Sequence, residues 1–244
     1  MKPMRTPRYC HRQAAVAALL AATALPAGAN VVWSQGFETD TTGWFDQNNG
    51  WTGLATRSAS GTGGITSAAG GWHGVFEQTS TAGVGLSAPF TRFDGYRDTW
   101  PGAWNAAIDV YLDVDWNPGT GFDYSVAGNG SDNNHQRDFI FHVTKDTSTG
   151  DLLVGGSNNT NFDPREDLET INNAVISASG WYTFEHEFRD VAGQLAVDLV
   201  LLDSGGTELF RETRTNAADL IPAEVGGNRY GWRSEERRVG KECP

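Results

Sequence analysis

Glu185 and Glu187 are the residues of this chain best placed for acid–base chemistry. They stand at i and i+2 in the run GWYTFEHEF, Gly180 to Phe188. On a strand such a pair shares a face, with Cβ atoms roughly 6–7 Å apart. Carboxylates about 5–5.5 Å apart suit a retaining glycosidase. Trp181 falls on the same face, positioned to support a sugar ring. The plainer reading of the pair is a solvated strand face in an acidic protein. Asp109, Tyr111, His142 and Asp198 occupy the mixed positions of other alternating segments. If those segments pair, the four join Trp181, Glu185 and Glu187 on one wet sheet face, a setting suited to a neutral glycan.

Two loops add candidates. Tyr96, Trp100 and Trp104 crowd the run GYRDTWPGAW. Exposed, such rings stack on sugars; packed inward, they plug the end of a sandwich. Asp113, Asp115, Asn117 and Asp123 resemble an oxygen-rich calcium loop, although Pro118 stands where an EF-hand needs glycine. The plain alternative is a turn. HExxH, GxSxG, P-loop and CxxC motifs are absent from the sequence.

These residues need a β framework. Tyr182, Phe184, His186 and Phe188 alternate with Trp181, Thr183, Glu185 and Glu187. Leu195, Val197, Leu199 and Leu201 do the same after a connection at Gly193. Period-two alternation with one apolar face predicts a hairpin whose sheet packs on another sheet. His186, lying among phenylalanines, is expected in the core. Further strands are expected at 31–38, 54–58, 72–78, 89–93, 105–116, 122–127, 137–145, 151–155 and 207–211. A helical turn is expected at 216–220, and a long polar loop at 157–173. With no helical periodicity over the mature region, the fold class is all-β: a two-sheet antiparallel β-sandwich, or jelly roll.

Both ends read differently from the middle. Residues 1–29 carry Lys2, Arg5, Arg8 and Arg12, an apolar run from Ala14 to Leu25, and small residues before Asn30. That is a secretory signal peptide, so the expected location is periplasmic or extracellular. Residues 233–244 begin RSEERRVGKEC, which resembles a translated sequencing adapter. The expected domain is therefore 30–232, cut short at its C-terminus, where a surface anchor would lie in the missing part. Without both ends the basic count falls from 18 to 10 and the acidic count from 30 to 27, a net charge of −17. Such acidity argues against nucleic acid as a partner. Cys10 and Cys243 drop out too, which removes thiol and zinc–thiolate chemistry from the mature part. No membrane span is visible in the mature chain.

The segments GFETDT (Gly36 to Thr41), DFIFHV (Asp138 to Val143), GWYTFEH (Gly180 to His186) and GNRYGW (Gly227 to Trp232) carry a resemblance. They are similar to segments of uncharacterised secreted bacterial proteins with a concanavalin A-like jelly roll. The resemblance implies fold and export, and supplies no reaction. In many jelly-roll carbohydrate-binding modules a glutamate at the place of Glu38 binds structural calcium, so Glu38 and Asp40 become candidate ligands by that likeness. Jelly-roll hydrolases of the laminarinase type show a Glu-x-Asp-x-(x)-Glu run, which this chain lacks. Jelly-roll alginate lyases pair Tyr, His and Arg, which Tyr111, His142 and Arg137 would parallel, yet the charge opposes a polyanionic substrate. The leading expectation is a secreted, non-catalytic protein that binds extracellular polysaccharide or sits in a matrix. The alternatives are a glycoside hydrolase or lyase, and a purely structural surface protein.

Overall fold

The computed structural model describes residues 31, 33–45, 53–78, 90–91, 99–132, 134–158 and 165–230. The leader 1–29, the tail 233–244 and Tyr96 lie outside the described residues. The strands are β1 Trp44–Phe45, β2 Gly53–Ala59, β3 Trp72–Gln78, β4 Phe90–Thr91, β5 Trp104–Leu112, β6 Gly121–Gly130, β7 His135–Lys145, β8 Leu152–Asn158, β9 Asn173–Ile176, β10 Gly180–Val191, β11 Gln194–Leu202, β12 Glu208–Leu220 and β13 Val225–Tyr230. Two short 3-10 turns, Thr62–Gly64 and Arg165–Thr170, are the helical elements among the described residues. One sheet has the order β12-β11-β10-β5, and the other β13-β6-β7-β8-β9. Two small ribbons, β1-β4 and β2-β3, precede them. The described pairings are all antiparallel. The fold is an all-β antiparallel sandwich, consistent with a jelly roll.

Alternation puts the apolar sets of the two large sheets face to face. Phe139, Phe141 and Val143 of β7 and Phe122, Tyr124 and Val126 of β6 are buried with Phe184 and Phe188 of β10 and Leu195, Val197, Leu199 and Leu201 of β11. Rings cross the interface edge to face: Phe141 to Phe184 at 5.0 Å and Phe139 to Phe188 at 5.4 Å between centroids. Such pairs add about 0.5–1.5 kcal/mol each beyond area burial. Polar bonds cross it as well. His186 Nε2 donates to the Phe139 carbonyl at 3.0 Å, and Arg137 of β7 forks onto Asp219 of β12. The Arg214 guanidinium donates to the Gly156 carbonyl.

The β10–β11 hairpin turns on Ala192 and Gly193, with φ of 54° and 86° between the paired Val191 and Gln194. Positive φ at both central residues matches the twist of the flanking strands. Elsewhere the strands depart from expectation. The stretch from Trp33 to Glu38 is irregular, because its end is clasped by a side chain rather than a ladder and Phe37 has φ of 60°. Residues 216–220 lie inside β12, not in a helical turn. Register slips there, Gln194 pairing Leu220 while Ala196 pairs Thr215. The turn chemistry is real, since Asn216 accepts from the Ala218 N–H, but it makes a bulge that carries Asp219 to Arg137. The expected 157–173 loop loses Ser157 and Asn158 to β8 and Asn173 to β9.

His186 is fully buried, and burial pushes its pKa down to about 3 despite the Phe139 hydrogen bond, which works to raise it. Its Nδ1 has no partner, so the neutral Nε2–H tautomer is the one that fits. With the folded pKa below the unfolded value, the unfolded chain binds the extra proton as pH falls through 6.5. His186 therefore contributes stability above that point and loses it in acid. Urea denaturation of wild type and His186→Gln at pH 7 and pH 5 should show wild type losing about 2 kcal/mol more than the variant over that interval. Parallel losses would contradict the assignment.

Candidate functional site

The outward face of the four-stranded sheet gathers most of the expected site. Trp181 pairs with Tyr111, Thr183 with Asp109, and Glu187 with both Asn105 and Asp198. Glu185 lies between Thr183 and Glu187 on the same side of β10, so Asp109, Tyr111, Trp181, Glu185, Glu187 and Asp198 share this face. Trp181 is fixed at several points. Its indole N–H donates to the Thr66 carbonyl at 2.6 Å, and its ring meets Tyr111 and His73 edge to face at 5.6 and 5.8 Å. His73 is in turn bonded to the Ser67 hydroxyl through Nδ1 at 3.0 Å. The β2–β3 ribbon thus leans on this end of the sheet and holds the indole in one orientation.

The polar groups form lateral bonds across the strands. The Thr183 hydroxyl donates to Asp109 at 2.6 Å, and the Asn105 amide donates to Glu185. Arg211 bridges Glu187 at 2.8 Å and Glu208 at 2.9 Å, and these bonds raise its pKa. Asp198 is buried and forked by Arg189, with Thr213 donating at 2.6 Å. Burial works to raise the Asp198 pKa, but those bonds and the charges of Arg189 and Arg211 outweigh it and hold the carboxyl below its ordinary range. Asp198 is an anchor for two arginines rather than a surface ligand. Glu185 and Glu187, expected as an acid–nucleophile pair, are both committed to lateral bonds. The end with Asp109, Tyr111 and Trp181 combines rings with hydrogen-bonding groups; the Glu187 end is an ion-pair network.

Three expected site residues lie elsewhere. His142 is not on this face: it belongs to β7 in the other sheet and is fully buried. Strand alternation specifies a side, not a sheet, so the sequence pattern could not separate them. Its Nδ1 lies 2.6 Å from Asp123 Oδ1 and its Nε2 lies 2.7 Å from Ser157 Oγ. Trp104 points inward, stacked on Phe188 at 3.8 Å, and Trp100 packs against the core. These two rings take the plugging role.

The proposed calcium ligands are engaged by protein groups. Glu38 accepts the Gly71 and Trp72 backbone N–H groups at 3.0 and 3.1 Å. The Arg57 guanidinium donates to the carbonyls of Phe37, Glu38 and Thr39, and lies over the Trp72 ring at 4.2 Å. Asp40 accepts the Thr42 N–H, a bond that lowers its pKa. Asp113 caps a turn through the Asp115 N–H and accepts from Ser179, which lowers its pKa also. The Asn117 carbonyl closes the next turn to Thr120, and Lys145 Nζ donates to the Val114 carbonyl between them. Asp123 has left this loop for His142. Among the described residues no three His, Cys, Asp or Glu side chains form a metal-holding group.

Sequence reasoning missed Ser157 and the partnership of Asp123 with His142. The three stand 19 and 15 positions apart, and only strand register joins them. It missed Arg57 as well, an isolated cation in a glycine- and serine-rich stretch. No protein-family model, curated protein or solved structure matches the chain.

The N-terminal clasp is organised around Arg57. Arg57→Met keeps the stem and removes the fork, so three carbonyls lose their donor at a cost of about 1–3 kcal/mol. Differential scanning calorimetry should show Tm lowered by about 5 °C. Calcium and chelator should leave the wild-type midpoint equal. A calcium-dependent midpoint that Glu38→Ala abolishes would instead place a cation in this clasp.

Proposed function

We propose that this is a secreted protein that binds a neutral extracellular polysaccharide through the outward face of its four-stranded sheet, without cleaving glycosidic bonds there. One observation carries the reading: Trp181 is pinned through its N–H and its ring, beside Tyr111 and Asp109, on an open polar face. A ring already held in place loses little freedom on binding, so more of the stacking energy appears as affinity. Asp109, Thr183, Glu185 and Asn105 offer the hydrogen-bond partners that sugar hydroxyls need. The overall negative charge, −12 for the whole chain, favours a neutral polymer over a polyanionic one.

Glycosidic cleavage asks for one carboxyl kept as an acid and another kept as a nucleophile or base. The ties of Glu185 to Asn105 and of Glu187 to Arg211 treat both as hydrogen-bond acceptors and support no such division.

Affinity electrophoresis in gels cast with neutral polysaccharides tests the binding. Wild type should be retarded in at least one gel, and Tyr111→Ala should weaken retardation tenfold or more, about 1.4 kcal/mol. Incubation with the same polymer should release no reducing ends. Unretarded migration in every neutral gel would overturn the reading, and reducing ends lost in Glu185→Gln would move it to a hydrolase.

A further inference from the structure

The outer face of the five-stranded sheet carries a relay that the glycan-binding reading does not use. Asp123 on β6 stands opposite His142 on β7, and His142 stands opposite Gly155 on β8, two positions from Ser157. With Asp123 as a carboxylate, Nδ1 of His142 must carry the proton, which leaves Nε2 to accept from the Ser157 hydroxyl. Both contacts are short, 2.6 and 2.7 Å. Nitrogen by nitrogen, this is the arrangement that activates a serine for acyl transfer. It stands on a buried face that mixes Ser125 and Thr144 with Ala127 and Leu153. Polar groups so placed are expensive without a use or full bonding.

We propose that Ser157 is an activated nucleophile toward small O-acyl esters, with His142 as base and Asp123 orienting it. Ser157 Oγ attacks the ester carbonyl carbon while its proton passes to His142 Nε2. Collapse of the tetrahedral adduct breaks the bond to the alcohol oxygen, which leaves with that proton, and the acyl group stays on Ser157. Water then attacks the acyl carbon and gives a proton to Nε2. Collapse returns it to Ser157 and releases the acid. The net change is ester plus water to acid plus alcohol.

Size selection follows from the cover. Ser157 and His142 have no exposed surface, while the Asp123 side chain is 13% exposed. The cover includes the turn Arg165–Thr170: a Cβ added at Gly155 would meet Leu168 Cδ2 at 2.9 Å and the Asn172 carbonyl at 3.3 Å. Leu168 therefore sits over the strand position facing His142, filling the space an acyl group would take. Ser157 also lies past the end of β9, whose pairing with β8 stops at Gly155. An ester must displace Leu168 to react, which favours a small acyl group.

The test uses the folded protein and a fluorophosphonate, with the site of modification read by peptide mass spectrometry. Wild type should gain one adduct, on Ser157. Leu168→Ala should react at least tenfold faster, and His142→Gln at least a hundredfold slower. Ser157→Ala should gain none. The same order should hold for hydrolysis of p-nitrophenyl acetate. An unmodified Ser157 in wild type and in a folded Leu168→Ala would overturn the proposal and leave the relay as a structural bond. Equal rates for His142→Gln and wild type would do the same. If Leu168→Ala does not fold, the wild-type adduct decides alone.

Discussion

Everything in this molecule depends on β10 lying against β7. Phe184 and Phe188 meet Phe141 and Phe139 across the sandwich, and His186 between them bonds the Phe139 carbonyl. Because side chains alternate, placing these three inward sends Glu185, Glu187 and Trp181 outward on β10. The same contact sends Ile140 and His142 outward on β7. One interface therefore creates both outer faces. The polar bonds that cross it resist sliding, since a one-residue slip would bury carboxylates and expose phenylalanines. Arg137–Asp219 adds a further fixed point near the ends of the strands.

The two outer faces have then diverged. On the four-stranded sheet the β2–β3 ribbon leans on the end near Trp181, and the other end carries the Glu208–Arg211–Glu187 network. On the five-stranded sheet the face is covered. Asp123, Ser125, His142, Thr144 and Ser157 are all buried, and Leu168 closes over Gly155. A polar row under cover must satisfy itself, and Asp123–His142–Ser157 does so in a line. The same residue types would be ordinary on the wet face. Their bonding geometry follows from being dry.

The fold was readable from the sequence because it rests on local alternation. GWYTFEHEF and LAVDLVLL each state a buried face, and Ala192–Gly193 states the turn between them. What could not be read was anything set by register between distant strands. Asp109, Tyr111 and Trp181 share a face because their strands are neighbours in one sheet. His142 was grouped with them wrongly because a mixed face looks the same on either sheet. Trp104 looked like a loop ring, yet it opens a strand and points inward. Arg57 leaves no periodic signal at all, although its guanidinium holds the end of the stretch 31–38, where the pattern predicts a strand. Ser157 sat in a polar, glycine-rich run that resembled a loop until β7 paired with it.

The central claim is that sugar binds on the β5–β10 surface beside Trp181. The most direct measurement is a titration of a neutral oligosaccharide into uniformly nitrogen-15-labelled protein, followed by amide and indole chemical shifts. The account predicts saturable shifts confined to Asn105 to Tyr111, Trp181 to Glu187 and the Trp181 indole N–H, with β7 and β8 unmoved. Shifts centred on any other surface, or none at saturating sugar for each polymer class tried, would contradict it.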